Sequence, residues 1–253
     1  MRGGNDQVRR EQRAARTALA GLALAIVSLL TGISAGTGSR LGLWHFRTGF
    51  TILHWSVWLG VLSSIVAVAG AILCGKLRLL RGVVVSVAGL VLGAIVIAVP
   101  VKWRMKATSV PPIHDITTDV VRPPAFVAIL PLREQASNPP EYGGLRVAEQ
   151  QQRGYPDIKT LIVELSPDQA FQRALETARK MGWRIVATVP AEGRIEATDT
   201  TFWFGFIDDM VIRITPAGYR SLVDIRSVSR VGRSDAGTNA DRIRQFLQKL
   251  KTG

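Results

Sequence analysis

The residues whose types and spacing could do chemistry are concentrated between Glu196 and Asn239. This stretch reads E-A-T-D-T-T-F-W-F-G-F-I-D-D-M-V-I-R-I and then V-D-I-R-S-V-S-R-V-G-R-S-D-A-G-T-N. Strand parity puts Asp224, Arg226 and Arg230 on one face of a strand, and Glu196 with Arg194 and Thr198 on one face of another, with Asp199 pointing away. If the two strands are neighbours, these charges form either a cross-strand ladder of ion pairs or a grip for an acidic group. The loop that follows carries Arg233, Ser234 and Asp235, and Asn239 stands where a helix starts. Free backbone N–H groups at such a start, with arginines nearby, favour an anion. The candidate anion site is therefore Arg226, Arg230, Arg233, Asp224, Glu196, Ser234, Asp235 and Asn239. A loop held by an arginine–Asp235 pair is the plainer alternative.

Other chemistries fit less well. Asp208-Asp209, Asp199, Glu196 and His114-Asp115 are numerous enough for a metal or acid–base site. Adjacent aspartates on a strand face opposite ways, however, and a hairpin turn accounts for the pair. No metal and no cofactor is expected. A lone histidine, His114, in the non-membranous part gives no nucleophilic triad, and there is no phosphate loop or dinucleotide fingerprint. F-W-F-G-F-I, read as a strand, separates Phe202, Phe204 and Phe206 from Trp203 and Ile207. One side is core, and an apolar patch involving Trp203, Phe204 and Ile207 would suit a protein or lipid partner.

The elements that must position these residues begin with a membrane anchor. Three apolar runs, Thr17 to Ala35, Phe50 to Gly75 and Gly82 to Trp103, are each long enough to cross a hydrocarbon core of about 30 Å. A signal peptide competes for the first run, but its length and the two runs that follow favour a retained helix. Gly82, Ser86, Gly89 and Gly93 fall near one face of the third helix and permit close packing. Charge follows the same division. Residues 1–106 hold 13 Lys and Arg against Asp6 and Glu11, whereas the remainder holds 19 against 17. The net +13 thus belongs to the membrane region and to lipid head groups. Nucleic acid is excluded as a partner because the folded part is nearly neutral. Eight basic residues flank the spans on the N-terminal side against five on the other, which places the N-terminus in the cytoplasm and the C-terminal domain in the periplasm of an inner membrane. The single cysteine, Cys74, lies in an apolar run and allows no disulfide.

Four regions result: a basic cytoplasmic tail (1–16), a three-span region (17–106), a Pro/Gly-rich extended segment (107–157) and a folded domain (158–253). The Pro pairs of the third region argue against helix, and its length predicts that it wraps over the folded domain. In the fourth, Ser166-Pro167 caps a helix whose apolar stripe runs from Ala170 to Met181. Strands follow, and a last helix spans about Ala240 to Lys251. The fold class is α+β: three transmembrane helices, then an antiparallel sheet with two helices packed on one face.

The segments P-P-I-H-D-I-T-T-D, E-A-T-D-T-T-F-W-F-G-F-I-D-D-M-V-I-R-I and V-D-I-R-S-V-S-R-V-G-R-S-D-A-G-T-N-A-D-R-I-R resemble the domain-of-unknown-function family 1499, over residues 111–250. That resemblance implies a bacterial or photosynthetic-eukaryote protein, often membrane-anchored or exported, with no established activity. The expectation is a membrane-anchored, non-catalytic interaction or assembly module of a membrane protein complex. A domain that binds or hydrolyses an acidic ligand at the arginine site is the alternative.

Overall fold

The computed structural model describes residues 2–252, with side chains from residue 5 onward. Two compact units emerge: residues 2–104 with Phe202–Gly205, and residues 105–201 with 206–252.

In the first unit, α1 (Arg2–Arg40), α2 (Phe46–Lys76) and α3 (Leu80–Ser109, its last five residues counted in the second unit) are each long and apolar enough to cross a membrane. The arginine-rich tail is helical and continuous with the first apolar run. Small residues set the packing. A Cβ at Gly21 would lie 2.9 Å from the Ala67 backbone, and one at Gly89 would lie 3.0 Å from the Leu22 backbone nitrogen. Ser86 and Gly93 meet α2 at Gly70 and Ser64. The small-residue face of α3 is thus consumed within the chain, as close helix approach requires. Ser28 closes the seam by donating its hydroxyl to the Ser56 carbonyl at 2.7 Å.

The second unit is α+β. Its antiparallel sheet has the order β1 (Asp115–Thr117), β6 (Arg220–Ser229), β5 (Ile207–Ala217), β4 (Arg194–Thr200), β3 (Arg184–Val189). Strand β2 (Leu161–Val163) pairs with the other half of β6, so β1 and β2 share that edge end to end. Helices α5 (Pro167–Lys180) and α6 (Thr238–Thr252) cover one face. Ser166 and Gln169 form a reciprocal capping box at the start of α5, with Pro167 at its first position. Ala170, Phe171, Ala174 and Ala178 then meet Ile195, Met210, Ile212, Ile225 and the α6 residues Ile243 and Phe246 in the core. Trp183 stacks on Phe246 with ring centroids 5.4 Å apart. Each fully buried large side chain there contributes about 1.5–3 kcal/mol.

Three local expectations need correction. The Pro/Gly-rich segment contains a helix, α4 (Gly144–Gly154), because G-L-R-V-A-E-Q-Q-Q-R-G lies beyond the last Pro pair. Its Gln151, 1% exposed, accepts from the Thr117 N–H and donates to the Thr117 carbonyl, covering the free edge of β1. F-W-F-G-F is a loop rather than a strand, since Thr200 pairs with Ile207 and Gly205 takes φ +71°. Asp208-Asp209 is not a turn: both residues lie within β5, buried, on opposite faces.

Candidate functional site

Ladder register fixes which charges share a face. Glu196 stands opposite Val211, Val211 opposite Arg226, Thr198 opposite Asp209, and Arg213 opposite Asp224. The sheet therefore brings Glu196, Asp224, Arg226 and Arg230 to the face remote from α5 and α6, as parity predicts. Residues 115–142 cover that face and supply partners for the charges.

Arg226, 2% exposed, makes a two-point ion pair with Asp115 (2.9 and 2.7 Å) and donates to the carbonyls of Pro124 and Pro140. Its guanidinium lies over the rings of Phe126 and Tyr142, 5.2 and 5.6 Å from their centroids. Arg230 pairs at two points with Asp209, each 2.9 Å, and Arg133 reaches the same carboxylate at 2.6 Å. Asp224 accepts from the hydroxyls of Thr118 and Thr160 and from Arg213. Glu196, wholly buried, accepts the successive amides of Val127 (3.1 Å), Ala128 (3.0 Å) and Ile129 (2.9 Å), and also pairs with Arg194. A small apolar cluster of Phe126, Ile129, Val211 and Val228 fills the space around these pairs.

The other expected residues do not join that set. Asn239 sits on the helix-covered face, where it bonds Ser227, Ser229, the His114 carbonyl and Arg242. Arg242 in turn pairs with Asp208 (2.7 Å) and Asp199 (2.9 Å). Asp235 caps α6 by accepting from the amides of Gly237 and Asn239, and the Ser234 hydroxyl accepts from Ala236. Arg233 is exposed, and its carbonyl lies 3.4 Å from the His114 ring. The eight residues thus occupy three places. Reasoning from sequence missed Arg133 and Arg213, and it paired neither Asp115 with Arg226 nor Arg242 with Asp208 and Asp199; Asp115 and Arg133 lie in the Pro-rich segment, whose partners no local period reveals.

Trp203 and Phe204 belong to the helical unit. The Trp203 indole N–H points to the Ile33 carbonyl at 3.3 Å, and the Phe204 ring lies 4.9 Å from that of Phe50. Ile207 opens β5 in the other unit and is partly buried.

Burial shifts several groups. Desolvation first, and the Asp115 charge second, push Tyr142 up to about 12; desolvation and Asp235 do the same to Tyr155. Both hydroxyls are buried, with no hydrogen-bond partner among the described residues. Desolvation raises Asp235 above 3.8, and the charge of Asp208 adds to it, while the Asn239 and Gly237 amides oppose. Among the described residues no group of His, Cys, Asp and Glu could hold a metal ion. A groove of about 630 Å³ runs beside Asp168, Gln172, Lys180 and Lys249, and none of the eight residues lines it.

A family model described as "Protein of unknown function (DUF1499)" matches residues 115–250. No curated protein matches the chain. The match begins at Asp115, the residue that neutralises Arg226.

Two predictions follow from this geometry. Asp115→Ala and Arg226→Ala should each cost about 3–5 kcal/mol in chemical unfolding of the full chain, because each leaves a buried charge unpaired. The double substitution should cost clearly less than the sum of the two; strict additivity would show that the residues act separately. Asp235→Asn tests the raised carboxyl. A folded-state value above 3.8 means that wild-type stability falls as pH rises from 3.8 through the folded value. The asparagine, which keeps an acceptor for the α6 amides, should therefore gain in Tm relative to wild type between about pH 3 and pH 7. A Tm difference independent of pH would contradict this.

Proposed function

This chain belongs to the DUF1499 family of proteins of unknown function, and we propose that it is a membrane-anchored interaction or assembly module of a membrane protein complex, without catalysis of its own. The α+β domain follows three helices long and apolar enough to cross a membrane, which supports anchoring. One observation carries the non-catalytic reading: the arginines of the covered sheet face are neutralised inside the domain. Arg226 is held by Asp115, Arg230 and Arg133 by Asp209, and Arg213 by Asp119 and Asp224. A guanidinium engaged at two points in a buried pair is not available to an incoming anion without breaking that pair. The alternative, a site for an acidic ligand, would have to rest on exposed Arg233 and the neighbouring Ser234.

The module sits, in this proposal, on the periplasmic surface of an inner membrane. Support comes from the Lys/Arg bias: Arg2, Arg9, Arg10, Arg13 and Arg16 flank the first span, and Lys76, Arg78 and Arg81 lie between the second and third. Three spans then carry the domain to the opposite side.

Purification of the native protein in mild detergent, with mass spectrometry of what is retained, tests the reading. A membrane protein recovered in fixed stoichiometry, and still recovered with Arg233→Ala, is expected. Recovery of the chain alone, or with only a small acid lost on Arg233→Ala, would overturn it in favour of the arginine site. In intact cells an impermeant thiol reagent should label Lys251→Cys; protection would reverse the orientation.

A further inference from the structure

The six-residue connection Thr201–Phe206 between β4 and β5 contains a segment, Phe202–Gly205, that groups with the helices. Within that unit, Trp203 lies against Gly36 and directs its indole N–H to the Ile33 carbonyl. Phe204, 8% exposed, fits against Gly49, where a Cβ would come within 2.9 Å of its ring, and against Phe50. Ser39 donates to the Phe204 carbonyl, and Arg40 donates to the Phe202 carbonyl while lying 5.8 Å from the centre of the Phe202 ring. Phe202 itself is 90% exposed, with Leu41 at 68% and Leu43 at 69%.

The depth of these contacts identifies the environment. Ile33 and Ala35 belong to the uncharged run of α1, and Ile33 lies seven residues before Arg40, about 10 Å along the helix. Trp203 therefore reaches more than a turn below the last charge of that helix. A second indole, Trp44, bonds the Ala35 carbonyl at 3.1 Å at the same level. Indoles with satisfied N–H groups beside an arginine at the end of an apolar run are the chemistry of a bilayer interface. An exposed phenyl ring continuous with that belt suits the boundary between head groups and acyl chains better than water.

We propose that Phe202–Gly205 is a lipid-contacting loop, with the Phe202 ring lodged in the bilayer interface. This rests on the reading of the three helices as membrane spans. A partner protein covering Phe202 is the competing occupant. The test uses the full chain with Cys74→Ala, reconstituted alone in phosphatidylcholine nanodiscs. An environment-sensitive fluorophore is attached at Phe202→Cys or, separately, at Leu30→Cys on the outer surface of α1 (59% exposed). The expected result is a blue-shifted emission from position 202, quenched more by lipids with a nitroxide near the head group than by lipids with one deep in the chain. Position 30 should show the opposite depth preference. A probe at 202 quenched only by aqueous iodide, while position 30 is quenched by lipid, would overturn the loop proposal and leave the spans intact. Lipid quenching at neither position would overturn both.

Discussion

A buried carboxylate dictates how the domain must be built. Glu196 is fully enclosed in β4, an inner strand of the sheet, where an uncompensated negative charge would cost several kcal/mol. Three consecutive amides, Val127, Ala128 and Ile129, converge on its two oxygens, and Arg194 completes the shell. Those amides come from a stretch with neither helix nor strand, and without Glu196 the buried amide of Ile129 would lose its partner. Each side therefore requires the other. The Pro-rich segment is not a tether laid over a finished domain but the second wall of its core.

The same exchange recurs across that face. Asp115, Asp119 and Arg133 come from the segment, while Arg226, Arg213 and Asp209 come from the sheet. Replacing such pairs by apolar side chains of equal volume is often neutral or stabilising, so their value lies elsewhere. Two-point pairing fixes orientation and register, which a segment rich in proline, with few backbone donors, obtains from a ladder only along the three residues of β1. On the helix-covered face, Arg242 plays the corresponding part: it ties α6 to Asp199 and Asp208 at the end of β4 and the start of β5. Both sets leave the domain internally neutralised, in keeping with its near-zero net charge.

Much of this was legible in the sequence. Period-two alternation gave the strand faces of Asp224, Arg226 and Glu196, the Ser166-Pro167 signal gave α5, and the apolar runs gave the three long helices. What could not be read is long-range. Nothing near Arg226 indicates Asp115, which lies 111 positions away, and nothing near Glu196 indicates three amides of an irregular segment. The same limit explains the aspartate pair. Asp208-Asp209 looks like a turn because two adjacent charges are costly inside a strand, and only the arginines on either side of the sheet make it tolerable. F-W-F-G-F looks like a strand because aromatic residues favour strands; the partners of Phe202, Trp203 and Phe204 are helices at the start of the chain.

Amide hydrogen exchange at Val127, Ala128 and Ile129 measures the mutual dependence of segment and sheet most directly. If Glu196 binds the segment into the core, these amides exchange only on global unfolding, as slowly as those of β5 and β6. Exchange at the rate of an exposed loop, with the β5 and β6 amides still protected, would show that the segment opens independently and that the sheet face is accessible after all.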